Sequence, residues 1–200
     1  MSKISIIYFS QSGSTELLAA AIADGARQLG ADVKCFRIRG ERICEGRWRD
    51  DPVLQHLSDS DAIVFGSPTF MGGVSAQFKA FADATGQAWY QRRWKDKAAA
   101  GFTISNSPSG DKLAALQYFT ILASQHGMIW VNSDELPMQP DGTNRLGSYL
   151  GLMAQNVAAS GAPAELASAD KTAANKFGQR IARVVRRLAA ESEEQINLSQ

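Results

Sequence analysis

Residues 3–28, KISIIYFSQSGSTELLAAAIADGARQ, decide the fold. Ile4, Ile6 and Ile7 form an apolar, β-branched run that reads as a buried strand. A tight loop, Ser10-Gln11-Ser12-Gly13-Ser14-Thr15, follows, and an Ala- and Leu-rich helix over about 15–29 begins at once. A strand that feeds a hydroxyl-rich loop into a helix N-terminus gathers three favourable elements at one spot: unpaired backbone N–H groups, the positive end of the helix dipole, and hydroxyl donors. Two readings stand for such a loop. It is an anion site, with phosphate the natural ligand, or an ordinary turn closed by a Ser/Thr N-cap.

Two common phosphate cradles are excluded by what the loop lacks. No lysine follows Gly13, so the triphosphate motif GxxxxGK[ST] is missing, and a lone glycine fails the dinucleotide pattern GxGxxG. With no Lys or Arg in the loop, the cradle suits one phosphate held by N–H and O–H groups, as in flavin mononucleotide (FMN).

Working outward, strand and helix patterns alternate. Residues 31–38 alternate as a second strand, and 39–51 read as a polar connection. A short helix follows at 52–58, and Ala62–Gly66 reads as a third, fully buried strand. After the loop Ser67–Gly73 come a helix over about 75–86, a fourth strand at 98–104, the loop Ser105–Gly110 and a helix over about 111–125. Met128–Val131 is the fifth strand, Pro137–Gly151 is irregular, and a last helix over about 170–190 carries the apolar stripe Phe177, Ile181, Val184, Leu188. Five strands with intervening helices predict a doubly wound parallel sheet, helices on both faces. Residues 1–190 read as one domain and 191–200 as a loose tail. Ligands of such sheets sit at the carboxyl ends of the strands. Three loops, SQSGST, SPTFMGG and SNSPSG, would emerge there together, each built of small and hydroxyl residues that let a flat ligand approach the backbone.

Composition narrows the class. A chain of 200 residues is long enough to bury about 70% of its unfolded surface. Hydrophobic content of 44% and charged content of 20% are those of a globular protein, and the net charge of +1 argues against nucleic acid or acidic membranes as partners. Cys35 and Cys44 form no CxxC pair, so free thiols in the cytoplasm are expected and a metal site is not. No signal peptide or membrane span is apparent.

The stretches YFSQSGST, AIVFGSPTFMGGVSAQFKAFADATG, SNSPSG and SQHGMIWV resemble the flavodoxin superfamily, and within it the WrbA-like NAD(P)H:quinone oxidoreductases and NADPH-dependent FMN reductase-like flavoproteins. The second stretch is the most specific. The likeness weakens toward residue 131, and 132–165 depart from it. The resemblance implies a flavodoxin-like sheet of order 2-1-3-4-5 and FMN as cofactor. It implies that Ser10, Ser12, Gly13, Ser14 and Thr15 hold the phosphate. Pro68, Thr69, Phe70, Met71 and Gly72 would line the isoalloxazine, with Ser105, Asn106, Ser107, Pro108, Ser109 and Gly110 wrapping its other side.

His126 matches the family position that meets the flavin, where it would orient a quinone oxygen or supply a proton; as a helix C-cap it would instead answer the dipole. Trp89 matches a tryptophan that stacks near the flavin from a neighbouring subunit, or is a core or interface aromatic. The cluster Trp89, Tyr90, Arg92, Arg93, Trp94 has the composition of an interface or of a nicotinamide-phosphate patch. The resulting expectation is an FMN enzyme that takes a hydride from NAD(P)H and delivers two electrons to a quinone-like acceptor, as an assembly of two or four copies. The alternative is a flavodoxin-type electron carrier for a protein partner. Such carriers are usually strongly acidic, and a net charge of +1 weighs against that.

Overall fold

Ile4, Ile6 and Tyr8 pack to one side of the first strand while Ile7 and Phe9 pack to the other, and all five are buried. Two apolar faces demand cover on both sides, which helices on either face of a parallel sheet supply. The computed structural model describes residues 1–137 and 139–198. Its elements run β1 (Lys3–Tyr8), α1 (Ser14–Gln28), β2 (Asp32–Arg37), a short 3-10 turn (Gly40–Arg42), β3 (Ile43–Cys44), β4 (Arg47–Trp48), α2 (Asp51–Ser58), β5 (Ala62–Phe70) and β6 (Gly73–Val74). They continue with α3 (Ala76–Ala84), α4 (Gly86–Tyr90), β7 (Ala98–Ser105), α5 (Lys112–Gln125), β8 (Ile129–Trp130), β9 (Leu152–Gln155) and α6 (Ser168–Leu198). The sheet path β2-β1-β5-β7-β8 is parallel throughout. Counted as five strands, this is the expected 2-1-3-4-5 order.

One core lies between the sheet and the pair α1 and α6, built from Leu18, Ile22, Phe177 and Ile181 against Ile6, Val64 and Phe102. The other lies under α3 and α5, where Phe65, Phe78, Phe81 and Phe119 cluster. The Phe78 and Phe119 rings are 4.8 Å apart, close to edge-on. On the first face α1 and α6 touch backbone to backbone at two glycines. A Cβ on Gly25 would lie 1.9 Å from the Asn175 carbonyl oxygen, and one on Gly178 would lie 2.0 Å from that of Ile22.

Several elements differ from the sequence reading. The connection 39–51 contains the hairpin β3–β4, turned at Glu45 and Gly46, both at positive φ (50° and 76°). It buries Trp48 edge-on against Phe81 at 5.4 Å. The third strand does not stop at Gly66: β5 runs to Phe70 and folds back as β6 through Met71 and Gly72, at φ 47° and 75°. The helix expected over 75–86 is two, α3 and α4. The fifth strand is split. β8 pairs with Ala98 and Ala99 at the start of β7, whereas β9 pairs with Phe102–Ser105 at its end. Segment 132–151 is the insertion between them, and it is fastened to α6 by Arg180–Asp134 (2.7 Å), Lys176–Asp141 (2.7 Å) and the Arg145–Asp170 pair. Helix α6 also continues to Leu198, so most of the expected loose tail is helical backbone, and residues 199–200 lie outside the described residues.

Because the α1–α6 contact leaves no room for a methyl group, Gly178→Ala is expected to cost about 1–3 kcal/mol or more, since overpacking against backbone cannot be relieved by a rotamer change. Urea denaturation of the two proteins checks it.

Candidate active site

Three parallel strands, β1, β5 and β7, end side by side, and the loops that leave them enclose a cleft of about 520 Å³ at the carboxyl edge of the sheet. The first wall is the turn between β1 and α1. Gly13 sits at φ 99°, a conformation that favours glycine, and it brings no side chain to cap the helix. The buried Ser10 accepts the amides of Gly13 (3.2 Å) and Glu16 (3.3 Å) at its Oγ, so it shapes the loop from within. Among the described residues nothing accepts from the amides of Ser14 and Thr15. Ser12, Ser14 and Thr15 line the cleft, and Thr15 Oγ1 is buried without a hydrogen-bond partner. A buried hydroxyl left orphaned beside two free helix-terminal amides is the mark of a polar ligand's place.

The second wall is the β5–β6 hairpin. Ser67 Oγ accepts the Ser75 amide (2.9 Å), and Ser75 Oγ in turn accepts the Phe78 amide (3.2 Å) to cap α3. Thr69 and Thr103 hydroxyls meet at 2.7 Å. This bracing holds Pro68, Thr69, Phe70, Met71 and Gly72 along the cleft. Met71 is fully exposed (105%) and lies in left-handed backbone, an apolar side chain held out beside a binding cleft at some conformational cost.

The third wall is the loop between β7 and α5, which contributes Ser105, Asn106, Ser107 and Gly110. Gly110, at φ 55°, permits its tight closure, since a Cβ there would lie 2.5 Å from Ser105 Oγ. Asn106 is held from outside by Gln155 (Nε2 to the Asn106 carbonyl, 2.9 Å) and Asn156 (Nδ2 to Oδ1, 3.1 Å).

Of the residues expected to hold the cofactor, four do not line the cleft. Ser10 and Gly13 form the inner skeleton of the first loop, and Pro108 and Ser109 lie behind the third, where the Pro108 carbonyl accepts from Lys112. Gln11, Ile104 and Asp111 line the cleft and were not expected there.

His126 and Trp89 stand apart from these residues. Both lie at the amino edge of the strands, on the far side of β7, roughly 20–25 Å from the cleft at 3.3 Å per residue. His126 is buried, stacked on Trp94 at 4.2 Å, with Nε2 2.9 Å from Thr85 Oγ1, and Nδ1 has no partner among the described residues. Burial, helped by Arg92, lowers its pKa to about 4, so the ring is neutral near pH 7. Trp89 is half-exposed beside the exposed Tyr90. Neither side chain reaches the cleft of its own chain.

One contributor escaped sequence reading altogether. Arg37, at the end of β2, donates from Nη2 to the Ser10 carbonyl (2.7 Å) and from Nη1 to Glu16 Oε2 (3.1 Å), while Tyr8 donates to Glu16 Oε1 (3.1 Å). The pairing of Tyr8 with Arg37 across β1 and β2 was implicit in the strand order and would have pointed to it. Burial and the adjacent Glu16 carboxylate push the Tyr8 hydroxyl well above the usual tyrosine range. Arg37 thereby offsets the acidic residue in the first turn of α1 and ties it to the first loop.

A family model described as NADPH-dependent FMN reductase matches residues 2–143. The chain belongs to the NADPH-dependent FMN reductase family. Among curated relatives, Flavodoxin FldP of Pseudomonas aeruginosa is 37% identical over 196 residues, covering 95% of this chain and all of the relative. The NAD(P)H dehydrogenase (quinone) of Archaeoglobus fulgidus is 36% identical over 202 residues, covering 94% and all of the relative. A solved structure, the flavodoxin, WrbA-like protein from Agrobacterium tumefaciens, superposes with a TM-score of 0.71 at 37% identity, covering 94% of this chain and 99% of that one. The flavodoxin-like fold and the WrbA-like resemblance are therefore upheld. As a member of this FMN reductase family the chain takes FMN as cofactor and NAD(P)H as reductant, and the cleft's chemistry fits FMN. The orphaned Thr15 hydroxyl and the free Ser14 and Thr15 amides match a phosphate's acceptor oxygens, and the flat, partly apolar walls match a planar ring.

Thr15→Val is expected to weaken FMN binding about tenfold, the worth of roughly one hydrogen bond to a charged group. The apoprotein should be no less stable, because an unsatisfied buried hydroxyl is removed; calorimetric titration and urea melts read the two quantities separately. His126 predicts a pH effect. Its folded pKa lies below its unfolded value, so the unfolded chain binds the proton first. The stability it confers is complete above about pH 6.5 and is lost as pH falls toward about 4. Urea midpoints of wild type and His126→Gln across that window should show a flatter slope for the variant.

Proposed function

We propose that this protein is an FMN-dependent oxidoreductase that takes two electrons from NAD(P)H and passes them to a quinone-like acceptor. The observation that carries the reading is the cleft itself. It is built for a phosphate at one end, and a planar group would lie between the Pro68–Gly72 hairpin and the Ser105–Gly110 loop with one face left open. FMN supplies the hydride acceptance and the two-electron delivery. The chain's residues bind and orient. Ser12, Ser14 and Thr15 hold the phosphate by hydroxyls and amides, with Ser10 and Gly13 fixing the loop's shape and Arg37 its charge balance. Phe70 and Met71 present an apolar platform beside the ring, and Asn106 and Ser107 offer polar groups to its edge.

The acceptor class draws support from the quinone dehydrogenase relative and from the exposed Phe70 and Met71, which suit a flat, weakly polar partner. We assign Trp89 and the His126 end of the molecule to assembly, in two or four copies, where the exposed Trp89 of one copy would meet the cleft of another. Free, exposed Cys35 and Cys44 agree with a reducing, cytoplasmic setting, and among the described residues no helix is long and apolar enough to cross a membrane. The flavodoxin relative favours a second reading, an electron carrier for a protein partner.

An anaerobic titration of the FMN-loaded protein with NADH and, separately, NADPH decides between them. Direct loss of flavin absorbance with either nucleotide, restored by benzoquinone, is the expected result. Absorbance that neither nucleotide changes, but dithionite does, would establish the carrier instead.

A further inference from the structure

Lys112 has no role in the account so far, yet it is one of the most deeply buried side chains in the molecule, at 1% exposure. All three of its ammonium donors are used. Nζ donates to Ser105 Oγ (2.9 Å), the Ser107 carbonyl (2.8 Å) and the Pro108 carbonyl (2.9 Å), so the cation plugs the back of the loop whose front lines the cleft. Among the described residues no carboxylate lies within ion-pair distance of it. The charges that act on it are Asp170 and Arg145, which are bonded to each other through two 2.8 Å contacts and act on it in opposite directions. Lys112 is also the first residue of α5, where the helix dipole is positive and a cation is disfavoured. Burial of a charge, the absence of a counter-ion and placement at the wrong helix end all oppose its presence. A Ser/Gly loop can be closed by neutral groups, so bracing alone does not account for a lysine here.

What would offset these costs is negative charge on the cleft side of the loop. Hydride uptake from NAD(P)H breaks a nicotinamide C–H bond, leaves the oxidised nucleotide, and adds two electrons and one proton to the neutral ring of FMN, which thereby gains one negative charge. We propose that Lys112 is a positioning residue with an electrostatic function: from behind the Ser105–Gly110 loop it makes the cleft hold reduced FMN more tightly than oxidised FMN. This deepens the proposed function and rests on FMN lying against that loop.

The test compares full-length wild type, Lys112→Met and Lys112→Arg, each reconstituted with FMN. Dissociation constants for oxidised FMN are measured by titration and midpoint potentials by equilibration with a reference dye. In the apoproteins, amide exchange over 106–110 is followed. Loss of the brace alone accelerates exchange and weakens both redox forms equally, leaving the potential where it was. The expected result is that Lys112→Met weakens the reduced form about tenfold more than the oxidised one, which lowers the two-electron potential by about 30 mV. Lys112→Arg, which keeps the charge, should stay near the wild-type potential. An unchanged potential in Lys112→Met overturns the proposal and leaves Lys112 a brace. Lys112→Gln, neutral but still a donor, carries the same comparison if Lys112→Met does not fold. Failure of the wild type to bind FMN, or binding untouched by Thr15→Val, would overturn the site assignment itself and this inference with it.

Discussion

The carboxylate of Asp170 joins the parts of the molecule that surround the cleft. Buried in the first turn of α6, it accepts Arg145 Nε and Nη2 at 2.8 Å each and the backbone amide of Gln155 at 2.9 Å. One side chain thus ties the last helix to the insertion and to β9. Through Gln155 and Asn156 the connection reaches Asn106, and so the third wall of the cleft. A bidentate guanidinium pair whose carboxylate is shielded from water holds a more fixed geometry than the exposed Lys176–Asp141 or Arg180–Asp134 pairs. The exposed pairs add contacts between the insertion and α6, and the Asp170 joint is the buried one.

The same logic separates the cleft's two polar ends. At the first loop, groups are left unsatisfied: among the described residues the Thr15 hydroxyl and the amides of Ser14 and Thr15 have no partner. At the opposite loop Lys112 consumes two carbonyls and a hydroxyl, and Asn106 is held by Gln155 and Asn156. An unsatisfied cradle binds; a saturated loop positions. A flavin protein needs both, since the phosphate anchors the cofactor while the surroundings of the ring set its chemistry.

Much of the fold was legible in the chain because it rests on local pattern. The run of Ile4, Ile6 and Ile7, then Ala62–Gly66 and Ala98–Ile104, read as strands, and right-handed crossovers left few topologies open. The hydroxyl-rich loop of the first wall was legible for the same reason, lying within six consecutive residues, Ser10 to Thr15. The hairpin at Glu45-Gly46 escaped because that pair is a weak turn signal, and its stability comes from Trp48 finding Phe81 across the chain. The split of the fifth strand escaped because Leu152–Gln155 is too short to stand out and becomes a strand only by pairing with the end of β7.

The sequence by itself determined the parallel sheet, the hydroxyl-rich loop at its carboxyl edge and the family likeness, since each depends on periodicity or on residues adjacent in the chain. Only the tertiary structure decided which side chains meet. It brought Arg37 to the first loop and Lys112 beneath the third. It placed His126 and Trp89 at the amino edge of the strands, a full strand length from the cleft of their own chain. Strand direction sends alternate loops to opposite edges of the sheet, and whether a side chain there faces a ligand, a neighbouring ring or solvent is settled by packing between elements far apart in the chain.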